Sequence, residues 1–184
     1  MVKSIYNKGY FTGKSYEQYG DFPAHEGRVD KIISIANPTS VLDVGCAYGF
    51  IVKRLLDKGV YAVGMDVSAW CQRKAKEIIP HNFVRHDLRK PLPFRDKVFD
   101  LLYCEGVLEH IEEELIDGVM AEFERVSRKR ILQISLAEHS GALGEVGHIT
   151  VKDHAWWFQK MPFNTYMALG ATGSEENIGW LYKG

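Results

Sequence analysis

A short apolar segment that runs into an acid and then a glycine-bearing turn, residues 41–50 (VLDVGCAYGF), constrains this chain more than any other part of it. Gly45 and Gly49 allow backbone angles, and a close approach of the backbone to a ligand, that a Cβ atom would block. Residues 51–56 then carry apolar side chains at helical spacing, and Gly59 marks the end of that pattern. The segment predicts a strand, a ligand-binding loop and a helix.

The spacing of the glycines indicates which nucleotides suit the loop. A dinucleotide fingerprint requires glycines at the first, third and sixth positions of the turn, and here those positions hold Gly45, Ala47 and Phe50. The large Phe50 disfavours NAD and FAD, and no Gly-Lys-Ser/Thr follows to make a P-loop. Asp43, two residues before Gly45, instead suits a ligand with positive charge. An ordinary strand, turn and helix without a ligand is the alternative interpretation.

The segment resembles motif I of the class I S-adenosylmethionine-dependent methyltransferases. The usual form of that motif is Asp/Glu-x-Gly-x-Gly-x-Gly, and the chain reads Asp-Val-Gly-Cys-Ala-Tyr-Gly from residue 43. The resemblance implies S-adenosyl-L-methionine as the cofactor and S-adenosyl-L-homocysteine as the product. It also implies that the loop contacts the cofactor through Asp43, Gly45, Cys46, Ala47 and Gly49.

A second acid, Asp66, ends the predicted strand at residues 60–65. An acid at the end of the second strand, about 20 residues beyond the loop, can accept hydrogen bonds from both ribose hydroxyls of a nucleoside. We therefore predict that Asp66 binds the ribose, with Val67 beside it. Helix capping is the other interpretation of Asp66, but Ser68 is already a good N-cap for the helix that follows.

Two further acids follow predicted strands. Asp87 comes after a third strand at residues 81–85, and the resemblance implies that it accepts from the adenine amino group, with Leu88 beside it. Glu105 follows a fourth strand at residues 98–104 and is predicted to contact the cofactor as well. The residues just beyond it spell Leu-Glu-His-Ile, a tetrapeptide seen in many small-molecule methyltransferases of this class, and the type-11 and type-23 groups are the most similar.

The order of the predicted elements indicates an α/β fold. A helix near residues 116–126 and a fifth strand at 131–135 follow, then a helix at 150–161 and two terminal strands at 163–169 and 178–182. The resemblance implies a three-layer αβα sandwich with a seven-stranded, mostly parallel sheet and an antiparallel C-terminal hairpin.

A single methyltransferase domain is expected over residues 1–184. Its expected parts are an N-terminal lid and helix (1–37), a cofactor-binding core (38–135) and a substrate-side region (136–184). The N-terminal part is rich in aromatic residues, and it either folds over the cofactor as a lid or covers the sheet or a partner in a homodimer. These aromatic residues are Tyr6, Tyr10, Phe11, Tyr16, Tyr19 and Phe22.

Composition and charge limit the partners. The net charge is −1, whereas enzymes of nucleic acids usually show a basic face, so DNA and RNA are disfavoured. The densest basic cluster, residues 125–130, is interpreted as the end of a helix, where cations are favourable.

No apolar run approaches the roughly 20 residues of a membrane span, and no membrane partner is expected. The 3 cysteines lack paired spacing, which favours free thiols in a reducing cytoplasm. Neither they nor the histidines show metal-ligand spacing, so no metal is expected.

Methyl transfer from a sulfonium requires alignment and the exclusion of water, and a base only where the acceptor keeps its proton. The predicted catalytic residues are His148 and Glu105, with His148 preferred because imidazole titrates near neutrality. His110 and His139 border the same predicted crevice, and a structural hydrogen bond is the alternative role for each histidine. The predicted function is methyl transfer to an oxygen or nitrogen of a small molecule. The alternatives are a protein or RNA acceptor, or a catalytically silent module that binds S-adenosylmethionine.

Overall fold

Seven strands form the sheet in the computed structural model, which describes residues 5–13, 19–136, 147–169 and 179–184. The strands are β1 (Ser40–Val44), β2 (Tyr61–Asp66), β3 (Phe83–Arg85), β4 (Phe99–Glu105), β5 (Ser127–Gln133), β6 (Thr165–Leu169) and β7 (Gly179–Lys183). Their order is β3-β2-β1-β4-β5-β6-β7. The α/β fold class and the mostly parallel sheet are thereby confirmed.

Helices connect most of the consecutive parallel strands, although β3 is followed by β4 without a helix between them. The α-helices are α1 (Lys8–Thr12), α2 (Ala24–Ala36), α3 (Phe50–Asp57), α4 (Ala69–Ile78), α5 (Ile116–Val126) and α6 (His154–Lys160). Two short 3₁₀ helices, Leu108–His110 and Glu113–Leu115, lie between β4 and α5. None of the helices in the described ranges is long and apolar enough to cross a membrane.

The chain forms two compact units, Met1–Lys90 and Pro91–Gly184. In the first unit, β2 pairs in parallel with both β1 and β3, and Val44 lies opposite Met65. In the second unit, β5 pairs in parallel with β4 and β6, and β7 runs antiparallel to β6. The predicted C-terminal hairpin is therefore confirmed, and its first strand continues the parallel part of the sheet.

Strands β1 and β2 of the first unit are buried along nearly their whole length, which is typical of parallel strands covered on both faces, whereas β3 at the edge of the sheet is partly exposed. Val41 and Leu42 of β1 are fully buried, as is Ala62 of β2. Gly64 lets β2 approach the loop closely, because a Cβ there would lie 2.6 Å from Sγ of Cys46. The loop and β2 are thus packed against each other.

Capping residues mark the ends of several helices, and one predicted start agrees with the structure while another does not. The Ser68 hydroxyl accepts from the amides of Trp70 and Cys71, which confirms it as the N-cap of α4. Helix α2 ends at Asn37, which adopts the left-handed conformation with φ of 41°. Helix α6 begins at His154, later than predicted, because Asp153 caps it by accepting from the amide of Trp156.

The prediction for the basic cluster was wrong. Helix α5 ends at Val126, and the strand β5 begins at Ser127, four residues before its predicted start. Arg130 is 1% exposed and lies inside the sheet, where its Nε donates to the Thr165 hydroxyl at 3.1 Å. Its Nη1 donates to the carbonyl of Ser127 at 3.1 Å. The Arg130 guanidinium is therefore hydrogen-bonded between β5 and β6. Strand pairing places this residue in the sheet, although a cation is also favourable at the end of a helix.

Candidate functional site

The loop after β1 contains three residues with positive φ: Gly45 at 79°, Ala47 at 48° and Gly49 at 90°. The amides of Gly45 and Cys46 both donate to the carbonyl of Met65, at 2.8 and 3.2 Å. These bonds tie the loop to the end of β2. Ala47, which stands where motif I has its middle glycine, occupies a left-handed conformation that costs a non-glycine residue roughly 1–2 kcal/mol.

Gly49 is required for two separate reasons. Its φ is in the left-handed region, and it is the N-cap residue that immediately precedes α3. A Cβ at this position would also lie 2.7 Å from Cγ1 of Ile79 and still closer to Cδ1 of the same side chain. Ile79 follows α4, so Gly49 allows the loop and the end of α4 to be in contact.

Asp66 holds the loop in its shape. Its Oδ2 accepts from the amide of Ala47 at 3.0 Å, and its Oδ1 accepts from the amide of Ser68 at 2.8 Å. Burial raises the pKa of Asp66 to about 6, although hydrogen bonds from the amides of Ser68, Ala47 and Val67 favour the ionised form. A carboxylate has about four lone-pair sites, so these three amides leave about one site for a ligand.

Asp87 is held by a neighbouring arginine. Arg89 Nε donates to Oδ1 at 2.8 Å and Nη2 donates to Oδ2 at 2.8 Å, while the Arg89 amide donates to Oδ1 at 3.1 Å. Burial acts to raise the pKa of Asp87, but these bonds and the charges of Arg89 and Lys90 lower it overall. Among the described contacts, Oδ2 keeps one lone-pair site. Leu88 is partly buried beside it.

Asp43 and Cys46 lie deeper than the other loop residues. Asp43 is 3% exposed at the end of β1. The thiol of Cys46 is buried, and burial together with the carboxylates of Asp43 and Asp66 raises its pKa well above the usual range. Cys46 therefore packs against Gly64 as a small apolar residue.

The N-terminal aromatic residues pack on this loop. Phe11 is 5% exposed, and its ring centroid lies 5.5 Å from that of Tyr48, the loop residue after Ala47. Tyr19 lies 4.9 Å from the same ring, and Tyr48 accepts a hydrogen bond from Trp70 Nε1 at 2.8 Å. The Ser68 hydroxyl donates to the carbonyl of Tyr6 at 2.6 Å. Tyr16 lies outside the described residues.

The second unit holds the remaining candidates. Glu105 ends β4, and its Oε2 accepts from the Tyr103 hydroxyl at 2.7 Å. His110 Nδ1 lies 2.9 Å from the carbonyl of Gly147, and the rings of His110 and His148 are 4.7 Å apart in an edge arrangement. Burial and the charge of His148 lower the pKa of His110 to about 4, against the effect of the bond to Gly147. His139 lies outside the described residues.

Glu109, to which the sequence analysis gave no role, is central to this cluster. It is 0% exposed, and its Oε1 accepts from the amide of Ser135 at 3.2 Å. Burial raises its pKa, while the bonds to Ser135 and the charge of His148 act in the opposite direction. Its position inside the Leu-Glu-His-Ile tetrapeptide was the available signal. In the described ranges, no group of three or more His, Cys, Asp or Glu side chains has the arrangement of a metal site.

A seven-stranded, mostly parallel sheet that ends in an antiparallel C-terminal hairpin matches the class I methyltransferase fold. Residues 41–130 match the family model described as a methyltransferase domain, which confirms the resemblance. This segment is a methyltransferase domain, and its family and fold imply S-adenosyl-L-methionine as the cofactor.

Known proteins similar to this chain include one curated relative and two solved structures. The chain is 38% identical over 77 residues to the tRNA U34 carboxymethyltransferase of Nautilia profundicola. This match covers 38% of this chain and 25% of that protein. A Pyrococcus horikoshii protein is 28% identical with a TM-score of 0.50, covering 58% of this chain and 55% of its own. A candidate methyltransferase of Bacillus halodurans is 19% identical with a TM-score of 0.58, covering 73% and 66%. The chain thus spans a quarter of the curated relative and 55% of the first of these structures.

Proposed function

We propose that this protein transfers a methyl group from S-adenosyl-L-methionine to an oxygen or nitrogen of a small molecule. The observation that carries the proposal is the Asp66 carboxylate. It lies at the end of β2 and accepts from the Ala47, Ser68 and Val67 amides, which leaves about one lone-pair site for a ligand. An acid at the end of the second strand of a nucleoside-binding sheet is placed to accept from a ribose hydroxyl.

The other residues of the first unit support the same ligand. Asp87 keeps an acceptor site for an adenine amino group while Arg89 fixes its orientation. The register places Asp66 opposite Arg85, so the end of β2 and the turn that carries Asp87 lie at one edge of the sheet. Open α/β sheets bind their ligands at this carboxyl edge. The residues proposed to hold the cofactor in this unit are Asp43, Gly45, Cys46, Ala47, Gly49, Asp66, Val67, Asp87 and Leu88.

The bound cofactor would supply a methyl group on a positively charged sulfur, which an acceptor displaces directly. The protein then has to orient the acceptor, exclude water and hold any proton that the acceptor loses. We propose His148 for that proton, because imidazole exchanges protons near neutral pH. Glu105, which the Tyr103 hydroxyl orients, is proposed for contacts to cofactor or acceptor.

We also propose that the N-terminal aromatic residues act as a lid over the cofactor, within a single methyltransferase domain whose parts are residues 1–37, 38–135 and 136–184. Support comes from the packing of Phe11 and Tyr19 on Tyr48 in the loop itself. If so, S-adenosyl-L-homocysteine should slow amide hydrogen exchange in residues 5–13 more than in α2. Equal slowing of both segments would favour a cover for the sheet or for a dimer partner.

A thermal shift experiment tests the cofactor. Ligand at 100 times its dissociation constant adds about 2.7 kcal/mol of stability, and we expect this from S-adenosyl-L-methionine and S-adenosyl-L-homocysteine but not from NAD. Asp66→Ala should lose most of the shift. The matched control is Asp30→Ala, since the Asp30 side chain is 62% exposed and pairs with Lys58 on the surface. An intact shift in Asp66→Ala would contradict the ribose contact.

An RNA acceptor is the second candidate, because the curated relative is a tRNA carboxymethyltransferase. The net charge of −1 favours a small molecule instead. Transfer of a radioactive methyl group into cell-extract fractions distinguishes the two. Counts that survive nuclease and protease treatment indicate a small molecule, and counts lost with nuclease indicate RNA. Binding without transfer to any fraction would indicate a silent binding module.

A further inference from the structure

Residues 5–13, here called the N-terminal segment, are attached to the start of α4 through Ser68. The Ser68 side chain is fully buried, and its hydroxyl donates to the carbonyl of Tyr6 at 2.6 Å while its oxygen caps α4. The Ser68 amide donates to Oδ1 of Asp66 at 2.8 Å. One residue therefore binds the N-terminal segment with its side chain and the Asp66 carboxylate with its backbone.

The other oxygen of the same carboxylate is connected to the N-terminal segment through the loop after β1. Oδ2 of Asp66 accepts from the amide of Ala47 at 3.0 Å. The next residue, Tyr48, has its ring centroid 5.5 Å from that of Phe11, and Phe11, Ala47 and Tyr48 belong to one buried apolar cluster. Tyr19 contacts the same Tyr48 ring, and its amide donates to the Phe11 carbonyl at 2.8 Å. Both oxygens of Asp66 are thus hydrogen-bonded by turns that the N-terminal segment contacts.

Trp70 joins these two connections. Its amide donates to the Ser68 hydroxyl at 3.2 Å, and its Nε1 donates to the Tyr48 hydroxyl at 2.8 Å. Lys8 Nζ, from α1 in the N-terminal segment, lies 5.8 Å from the centroid of the Trp70 ring, within the range of a cation–π contact. The N-terminal segment, the start of α4 and the loop therefore form one connected network around Asp66.

We propose that Ser68 is a positioning residue that couples docking of the N-terminal segment to binding of the cofactor at Asp66. The inference rests on the proposed function in naming Asp66 as a cofactor contact. It goes beyond a lid that covers the ligand, because docking acts here through the carboxylate. The amides of Ala47 and Ser68 set the direction of the lone pair that Asp66 has left for a ligand, and the docked segment holds both amides in place. Coupling between two binding events is reciprocal, so the cofactor stabilises the docked segment by the factor by which docking raises cofactor affinity.

Amide hydrogen exchange in peptides from residues 5–13 measures docking without a ligand. Ser68→Ala removes the hydrogen bond to Tyr6, and the net effect of one hydrogen bond on an equilibrium is about two- to tenfold. Exchange in residues 5–13 should become faster by that factor, whereas Ser68→Thr keeps the hydroxyl and should retain most of the protection. The matched control is Asp153→Ala, which removes the N-cap of α6 and should leave this exchange unchanged. Unchanged exchange in Ser68→Ala would overturn the inference.

Calorimetric titration with S-adenosyl-L-homocysteine measures the other side of the coupling. Ser68→Ala should bind this ligand about two- to tenfold more weakly than the wild type, and Ser68→Thr and Asp153→Ala should bind it as the wild type does. The ligand should also slow exchange in residues 5–13 more in the wild type than in Ser68→Ala. Faster exchange with an unchanged affinity would mean that Ser68 only attaches the segment, and the coupling would be refuted.

A double-mutant cycle separates the coupling from local damage at the start of α4. Phe11→Ala weakens docking at the contact with Tyr48 and leaves Ser68 in place, so it should also weaken binding of S-adenosyl-L-homocysteine. In the double variant the second substitution should add less than about twofold, because the segment is already undocked. Two effects that multiply in full would indicate independent local defects and would contradict the coupling. Phe11→Leu replaces Phe11→Ala in the cycle if the alanine variant does not fold.

Failure of the proposed function gives a different result from failure of this inference. A wild-type protein that binds no S-adenosyl-L-homocysteine rejects the cofactor assignment, and the coupling at Asp66 with it. Wild-type binding together with the same affinity in Ser68→Ala rejects the coupling alone. Neither result depends on the identity of the methyl acceptor.

Discussion

Cofactor affinity should depend on pH through Asp66. In the proposed complex a ribose hydroxyl donates to this carboxyl, so binding requires its ionised form, and burial raises its pKa to about 6. The sign follows directly: as the pH falls below about 6, protonation competes with the cofactor and affinity falls. At about pH 5 only a tenth of the carboxyl is ionised, so the association constant should be about tenfold smaller than at pH 7.

Isothermal titration calorimetry with S-adenosyl-L-homocysteine between about pH 5 and pH 8 measures this effect. Asp66→Asn is the control, because it retains every other titratable group. It should bind at least about tenfold more weakly at pH 7, since hydrogen bonds to a charged group contribute roughly 1.5–3 kcal/mol each, and it should lose the pH dependence. A wild-type affinity that stays constant from pH 7 to pH 5 would refute the role of Asp66.

Three other predictions concern glycine conformation, the hydrogen bond of Tyr48 and the burial of the cysteines. Gly49→Ala should lower the free energy of unfolding, measured in urea, by about 2–5 kcal/mol, because it adds a clash with Ile79 to the cost of positive φ. The control is Gly59→Ala, at a position with φ of 81° and no atom within 4 Å of the added Cβ. It should lower the free energy of unfolding by only about 1–2 kcal/mol. Tyr48→Phe should cost about 0.5–1.5 kcal/mol by removing the acceptor of Trp70 Nε1, and no change in thermal unfolding would count against that bond. A thiol reagent should react slowly with the native protein and rapidly after denaturation, because all 3 cysteines are buried; fast native labelling would contradict this for Cys46, Cys71 and Cys104.

Local signals in the sequence predicted much of the first unit. The run of apolar residues before Asp43 and the glycines after it gave the strand, the loop and α3, and Ser68 gave the start of α4. These features depend on residues close together in the chain, where backbone freedom, capping and side-chain periodicity act directly. The acid at the end of β2 was predictable for the same reason.

Features that depend on distant residues were missed or placed wrongly. Arg130 was assigned to the end of a helix because its partner in the sheet, Thr165, lies 35 residues away in the chain. The hydrogen bond between Tyr48 and Trp70, which are 22 residues apart, was also not predicted. The contact of Arg89 with Asp87 was missed as well, although these residues are only two positions apart. Pairing across a sheet is set by strand register and side-chain packing, which the secondary-structure propensities of single residues do not predict.

The sequence by itself determined the class of fold and the ligand loop, because glycine conformations, caps and strand-ending acids are local properties. Only the tertiary structure decided which buried groups become neighbours. The fold brings the main-chain carbonyl of Glu109 to the amide of Ile149, 40 residues later in the chain. It also buries the Glu109 side chain with its Oε2 lacking a hydrogen bond to any residue that the structure describes. Charge stabilisation inside a protein depends on distance and burial, and both are products of packing.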